Sequence, residues 1–227
     1  MGYKIRLFFN LYRGMIAYLL SKCSKNRALI FADLERWKSI IGIKGRYLAM
    51  TKLLMQIPAY RNLVCYRLRG FAKTFFLWHY KKMDTLFMGC KEIGAGFYIH
   101  HGVATVIEAK SIGENCFISQ QVTLGYVGDE APTLGNNVTV HPGAIILGGV
   151  HLGDNCTVGA GAVVLSDVAE GATVGCVPPS AKSDVIAETD ATVGCVPPSA
   201  KSDVIAETDA TVGCVPPSAK SDGITEI

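Results

Sequence analysis

The first 85 residues are nearly empty of acid: Asp33, Glu35 and Asp84 stand against 17 lysines and arginines, a balance of +14. The rest of the chain is poor in base instead, with five lysines against 16 acids, or −11. The net charge of +3 therefore conceals a basic front and an acidic body. No apolar run reaches the roughly 18 residues that a spanning helix requires. Arg13 interrupts the apolar residues between Leu7 and Leu20, and no small-residue cleavage site follows, which argues against a secretory signal. Arg6 occupies the position where N-myristoylation needs Ser or Thr. The eight cysteines include no C-x-x-C pair, and Cys176, Cys195 and Cys214 are copies of one another, so no disulfide framework is expected. Reduced thiols and a cytoplasmic setting follow, with the inner face of the membrane as a peripheral location that the basic front would suit.

What the chain does have is a six-residue rhythm between Ile112 and Ala169. Aliphatic residues recur at Ile112, Ile118, Leu124, Leu134, Val140, Ile146, Leu152, Val158 and Val164. Gly113, Gly125, Gly135, Gly153 and Gly159 follow several of them directly. Four places after each aliphatic comes a small or β-branched residue, such as Cys116, Ala144, Cys156 or Ala162. Such a period is too short for a helical array and too long for plain strand alternation. It fits a coil with flat sides of about six residues, stacked at β spacing of roughly 4.8 Å, with aliphatics inside and small residues at the corners.

Two breaks interrupt the rhythm. Coiling begins near Phe87 and holds through Ile93 and Ile99, but the next aliphatic position is read at Val106, one residue late. The surplus falls within His100-His101-Gly102-Val103-Ala104-Thr105, and an irregularity in a ladder commonly re-aims a side chain beside a functional site. After Leu124 the next aliphatic is Leu134, four residues late, so Tyr126 to Thr133 form a loop that leaves the coil and returns.

The front, residues 1–85, reads as helical: apolar residues recur at helical spacing from Tyr3 to Leu20 and from Leu48 to Ile57, and Pro58 divides these from a helix over about Tyr60 to Trp78. Its aromatics, interleaved with Lys and Arg, suit a helical cap packed on the coil or on a sister subunit, or a surface resting on anionic lipid. Nucleic acid is not expected, because no recognised binding motif is present. At the other end, Ala172 to Asp190 recurs unchanged from Ala191 to Asp209, and in part from Ala210 to Asp222. The expected divisions are thus a helical front (1–85), a coil (86–182) and a loose repetitive tail (183–227).

The segments Ile93 to Gly102, Gln120 to Gly125 and Val158 to Val164 resemble the hexapeptide acyltransferases, specifically the branch of serine acetyltransferases and colanic-acid-type O-acetyltransferases. The resemblance covers about Ile93 to Pro178. It implies a mainly β protein: a left-handed parallel β-helix, an exception to the right-handed crossover rule, assembled as a homotrimer and using acetyl-CoA as acetyl donor. The family's general base matches His101, with oxyanion donors at Gly125 or Tyr126. Asp84, Glu92 and Glu108 are candidates to fix its tautomer. His100, Tyr126 and Glu130 would meet the acceptor. Gly143, Ala144, Ala160, Gly161 and Ala162 would line the pantetheine groove, and Lys182 would meet a coenzyme phosphate. The coil alone also demands small residues along that groove, and at Ala144 and Ala162 the two reasons are not separable. No resident metal is implied. His100 stands where serine acetyltransferases carry Asp, and Glu130-Ala131 stand where they place Arg and His before the loop proline. Losing that Arg removes the fork-shaped partner of a serine carboxylate, so a saccharide hydroxyl is the expected acceptor, with serine as the alternative. Other readings are a γ-carbonic-anhydrase-like site in which His101, His141 and His151 converge across subunits on one zinc, and a non-catalytic scaffold.

Overall fold

A computed structural model describes residues 2–175, with side chains described from residue 10. Lys182 and the repetitive tail lie outside the described residues. Five helices come first: α1 (Gly2–Cys23), α2 (Arg27–Ile41), α3 (Arg46–Gln56), α4 (Pro58–Arg67) and α5 (Gly70–His79). Gly42 closes α2 in the left-handed conformation, φ +73°, its N–H returning to the Lys38 carbonyl. Pro58 opens α4 directly after α3, as its position predicts, because a first-turn residue has no intrahelical use for an N–H. The single helix expected over Tyr60 to Trp78 does not form. Leu68 and Arg69 are extended and Gly70 has φ +54°, so the chain turns between α4 and α5. Buried Leu68 and Arg67 explain the turn: both side chains are pulled beneath the helices rather than continuing round a surface helix.

Fourteen short strands follow, β1 (Leu86–Met88) to β14 (Thr173–Val174), wound into about five turns of a left-handed parallel β-helix. Every third strand stacks. The first face holds β1, β4 (Thr105–Ile107), β7 (Thr123–Gly125), β10 (Ile145–Leu147) and β13 (Val163–Val164). The second holds β2 (Glu92–Ile93), β5 (Ser111–Ile112), β8 (Thr133–Leu134) and β11 (His151–Leu152). The third holds β3 (Tyr98–Ile99), β6 (Phe117–Ile118), β9 (Thr139–Val140), β12 (Thr157–Val158) and β14.

The aliphatic positions become continuous interior columns: Ile93-Ile112-Leu134-Leu152 on the second face and Ile99-Ile118-Val140-Val158-Val174 on the third, all buried. On the first face the column runs Ile107-Leu124-Ile146-Val164. Val106, expected inside, pairs instead with Thr123 on the outer surface. Two adjacent β-branched residues compete for that slot, and hydrophobicity alone does not separate them. The glycines after the second-face aliphatics have a steric reason. A Cβ on Gly94 would lie 2.5 Å from the Gly113 carbonyl carbon, and one on Gly113 would lie 2.4 Å from the Gly135 oxygen. Only bare backbone lets successive coils approach this closely.

The helices grip the first coil. Asp33 and Arg67, both buried, pair at 2.9 Å, and Arg67 also donates to the Ile93 carbonyl and to the Gly94 carbonyl at 2.6 Å. Asp33 accepts the Phe97 N–H at 2.9 Å. Arg36 donates to the Gly96 carbonyl at 2.5 Å, and the Trp37 indole donates to the Phe97 carbonyl at 2.8 Å. The carbonyls of Ile93, Gly94, Gly96 and Phe97 and the Phe97 N–H are thereby satisfied by α2 and α4.

Candidate active site

The turn after β3 is where the ladder fails. Ile99 pairs with Ile118, which sets His100 opposite Ser119, and the pairing of Val106 with Thr123 sets Ala104 opposite Gln121. Three residues, His101, Gly102 and Val103, thus stand where the next coil has only Gln120. Because the interior position is Ile107 rather than Val106, the turn carries two surplus residues. The corner after β4 gives one back, since Ile107 and Ile112 are five apart.

His101 occupies the apex. Its φ is +64°, and the Gly102 N–H bonds back to the His100 carbonyl at 2.8 Å, closing a three-residue turn of the rare positive-φ kind. The ring is exposed. Backbone strain of this sort needs support from its surroundings, and Gly102 supplies it. Gly102 is buried with φ +70°, so close to Ala59 of α4, Leu86 and Ile99 that an added Cβ would fall 3.0–3.3 Å from each. The helical front thus seats the turn that carries the imidazole.

His100 lies beside it, the two rings 4.0 Å apart between centroids. The His100 ring stacks on Phe117 at 5.9 Å and on Tyr98 at 6.4 Å, and Tyr98 rests on Trp37 at 4.4 Å. Desolvation in that stack, with His101 as a second cause, pulls the His100 pKa below its ordinary value, so this ring stays neutral near pH 7.

The three carboxylates named as partners for His101 are placed elsewhere. Asp84 lies 3.8 Å from Lys81, Glu92 lies on the second face, and Glu108 lies against Gly89. Among the described residues none of them hydrogen-bonds to His101. One neighbour was not singled out from sequence: Gln120, one coil below, has a buried side-chain oxygen with no hydrogen-bond partner. Its place in the Gln120-Gln121 motif was the only available signal.

Gly143, Ala160 and Gly161 continue down the same edge, between the third and first faces. Ala104, Gln121, Gly143 and Gly161 take the left-handed position in successive coils, with φ from +51° to +74°, and the turns are stitched by Gln121 N–H to Val103 O, Gly143 N–H to Gln120 O and Gly161 N–H to Pro142 O. Ala160 and Gly161 are exposed. Ala144 and Ala162, expected beside them in a groove, are fully buried. They fill the inside of the corner, where a larger side chain would not close.

Gly125, Tyr126 and Glu130 lie across the first face, on its edge with the second. Gly125 is buried at the end of β7. The loop after it folds on itself through mutual backbone bonds between Val127 and Glu130, 2.9 and 3.2 Å, as the four-residue break predicts. With Lys91, Lys110, Asp129 and Gly149 it lines a cleft of about 430 Å³. Within one protomer, therefore, His101 and His100 share one edge, while Gly125, Tyr126 and Glu130 occupy another. His151 is on the second face and His141 on the His101 edge, so within one protomer the three histidines named for a zinc site lie on different sides, and that site would need residues of neighbouring subunits. Burial raises the thiol pKa of Cys116 to about 11 and also raises that of Cys156, leaving both as packing groups.

Both edges border the first face, whose outward column reads Phe87, Val106, Thr123, Ile145 and Val163, with Leu147 and Leu165 beside it. Phe87 and Leu165 are each about half exposed, at 54% and 49%. An apolar face of this length is unusual for a solvated surface.

Residues 131–166 match the family described as bacterial transferase hexapeptide (six repeats). A serine acetyltransferase of Helicobacter pylori is 38% identical over 137 residues, which are 54% of this chain and 80% of that protein. A serine acetyltransferase of Synechococcus elongatus is 34% identical over 148 residues, 56% of this chain, and the match spans only 58% of that protein's length. Among solved structures, soybean serine acetyltransferase complexed with serine superposes with a TM-score of 0.54 at 25% identity, covering 68% of each chain.

Proposed function

Because this chain belongs to the serine acetyltransferase family of hexapeptide-repeat transferases, we propose that it moves an acetyl group from acetyl-CoA to a hydroxyl, with His101 as general base. The observation that carries this reading is that His101 leaves the ladder on the same edge where Gly143, Ala160 and Gly161 expose a strip of backbone with little side chain. An extended thioester arm can lie on such a strip with its acyl end at the imidazole.

The chemistry balances with one base. The neutral imidazole takes the hydroxyl proton as the oxygen attacks the thioester carbonyl. The tetrahedral intermediate then collapses, the carbon–sulfur bond breaks, and the leaving thiolate receives the proton from the imidazolium. The products are the O-acetyl ester and CoA with a free thiol. The developing oxyanion needs N–H donors. Those near Gly125 and Tyr126 reach His101 only from a neighbouring copy. A homotrimer with the apolar first face turned toward its axis would set the His101 edge of one protomer against the Tyr126–Ala131 loop of the next.

Serine is the first acceptor. The relatives carry that activity in their names, and Lys91 and Lys110 line the loop cleft, where they supply positive charge for a carboxylate that the loop itself lacks. A saccharide hydroxyl is the second reading, favoured by Glu130 and Asp129 in that cleft, since carboxylates accept hydrogen bonds from sugar hydroxyls and repel a serine carboxylate. Thiol release from acetyl-CoA, measured with serine and with a panel of sugars, separates the two. His101→Ala should lose at least about a hundredfold in turnover with the preferred acceptor. Undiminished turnover in that variant would remove His101 from the mechanism.

A further inference from the structure

Helix α5 has two aromatic faces and needs only one of them to fold. Phe76 and Tyr80 point inward and are buried, their rings 4.9 Å apart. Phe71, Phe75 and Trp78, spaced i, i+4 and i+7, form a stripe on the other side, with ring separations of 5.8 Å and 6.0 Å. Phe71 is 78% exposed and Trp78 is 82% exposed. No other large apolar side chain among the described residues is as open. Exposed cations flank both ends of the helix, Arg69 before it and Lys81 and Lys82 after it, with one acid, Asp84; Lys73 lies on the other side, lining a pocket with Cys65 and Leu86.

Surfaces that bury against protein are depleted in lysine, and the basic front has a single acid here, Asp84, 3.8 Å from Lys81; among the described residues no carboxylate pairs with Arg69 or Lys82. Anionic lipid supplies both things this surface lacks: an apolar medium for the rings and phosphate charge for the rim. We propose that α5 lies flat in the headgroup region of an anionic membrane, Phe71 and Trp78 entering it and the cations at its two ends, Arg69, Lys81 and Lys82, reaching phosphates. Ten residues of helix span only about 15 Å, and no described helix is long and apolar enough to cross a bilayer. The association is therefore peripheral and weakened by salt.

The full chain carries its own reporter. Trp37 is fully buried and Trp78 is open, so any change in indole emission on adding vesicles belongs to Trp78. Vesicles of phosphatidylcholine containing phosphatidylglycerol should shift the emission to the blue and carry the protein to the top of a flotation gradient. Vesicles of phosphatidylcholine alone should do neither. Phe71→Ser with Trp78→Ser should reduce flotation at least about tenfold, and Lys81→Gln with Lys82→Gln should do the same at physiological salt. Melting temperature and thiol release from acetyl-CoA should stay at the parent values in both variants. Absence of wild-type flotation with the anionic vesicles overturns the proposal. So does a fall in molar mass by light scattering in the aromatic variant with flotation unchanged, which would assign the stripe to a second copy of the chain.

Discussion

Replacing Arg67 by Met tests whether the helical front holds the first coil in place. Arg67 donates twice to Asp33, at 2.9 and 3.3 Å, and to the carbonyls of Ile93 and Gly94. The substitution keeps much of the buried volume but leaves the Asp33 carboxylate without its paired guanidinium, and strips the buried Ile93 carbonyl and the half-buried Gly94 carbonyl of their donor. Removing one partner of a buried ion pair costs about 3–5 kcal/mol. At this chain size each kcal/mol moves Tm by roughly 2–4 °C, so a fall on the order of 10 °C is expected. The pH dependence gives a sharper signature. Burial already raises the Asp33 pKa above 3.8 against the opposing pull of Arg67. Removing the cation raises it further. A carboxyl whose folded pKa lies above its unfolded value destabilises most when ionised in both states, and that penalty fades as pH falls toward 3.8. The gap in Tm between Arg67→Met and the parent should therefore narrow on acidification. Calorimetry across pH measures it. A loss below about 1 kcal/mol, or a gap that widens as pH falls, would refute the idea that this pair is desolvated and supports the coil.

Three other outcomes follow from the site. Gly102→Ala places a Cβ 3.0 Å from Ile99 at φ +70°, and should cost about 1–3 kcal/mol in denaturant unfolding while lowering turnover. His100→Asp puts a carboxylate beside His101. It favours the imidazolium, so the acid limb of the kcat/KM profile should move to higher pH; a shift to lower pH would contradict the adjacency of the two rings. Ile145→Asp places a charge in the middle of the apolar first face and should convert the proposed trimer to monomer in light scattering, with loss of activity. An active trimer in that variant would send the interface to another face.

The coil, its start near Phe87, both breaks and the division at Pro58 were legible because each is written in spacing, and spacing is local. The errors arose where neighbours in space decided between equivalent residues. Val106 and Ile107 are both aliphatic, and only the register with Thr123 and Leu124 tells which one faces inward. Ala144 and Ala162 are small for the corner, a reason that reads the same in sequence as smallness for a groove. The turn at Leu68 and Arg69 has no proline to announce it; it is set by Arg67 reaching Asp33, 34 residues away.

Spacing alone was enough for a flat-sided coil with an imidazole at its first fault, since a six-residue period with an interior aliphatic leaves few other ways to bury apolar surface; that the coil is a left-handed β-helix was implied by the family resemblance. Tertiary structure decided the rest. It showed that Gly102 seats the strained turn on Ala59, that the His100 ring lies against His101 while, among the described residues, Asp84, Glu92 and Glu108 make no hydrogen bond to His101, and that Gly125 and Tyr126 lie one full face away. Such facts depend on which edges the winding brings together, and the order of residues along the chain does not state that.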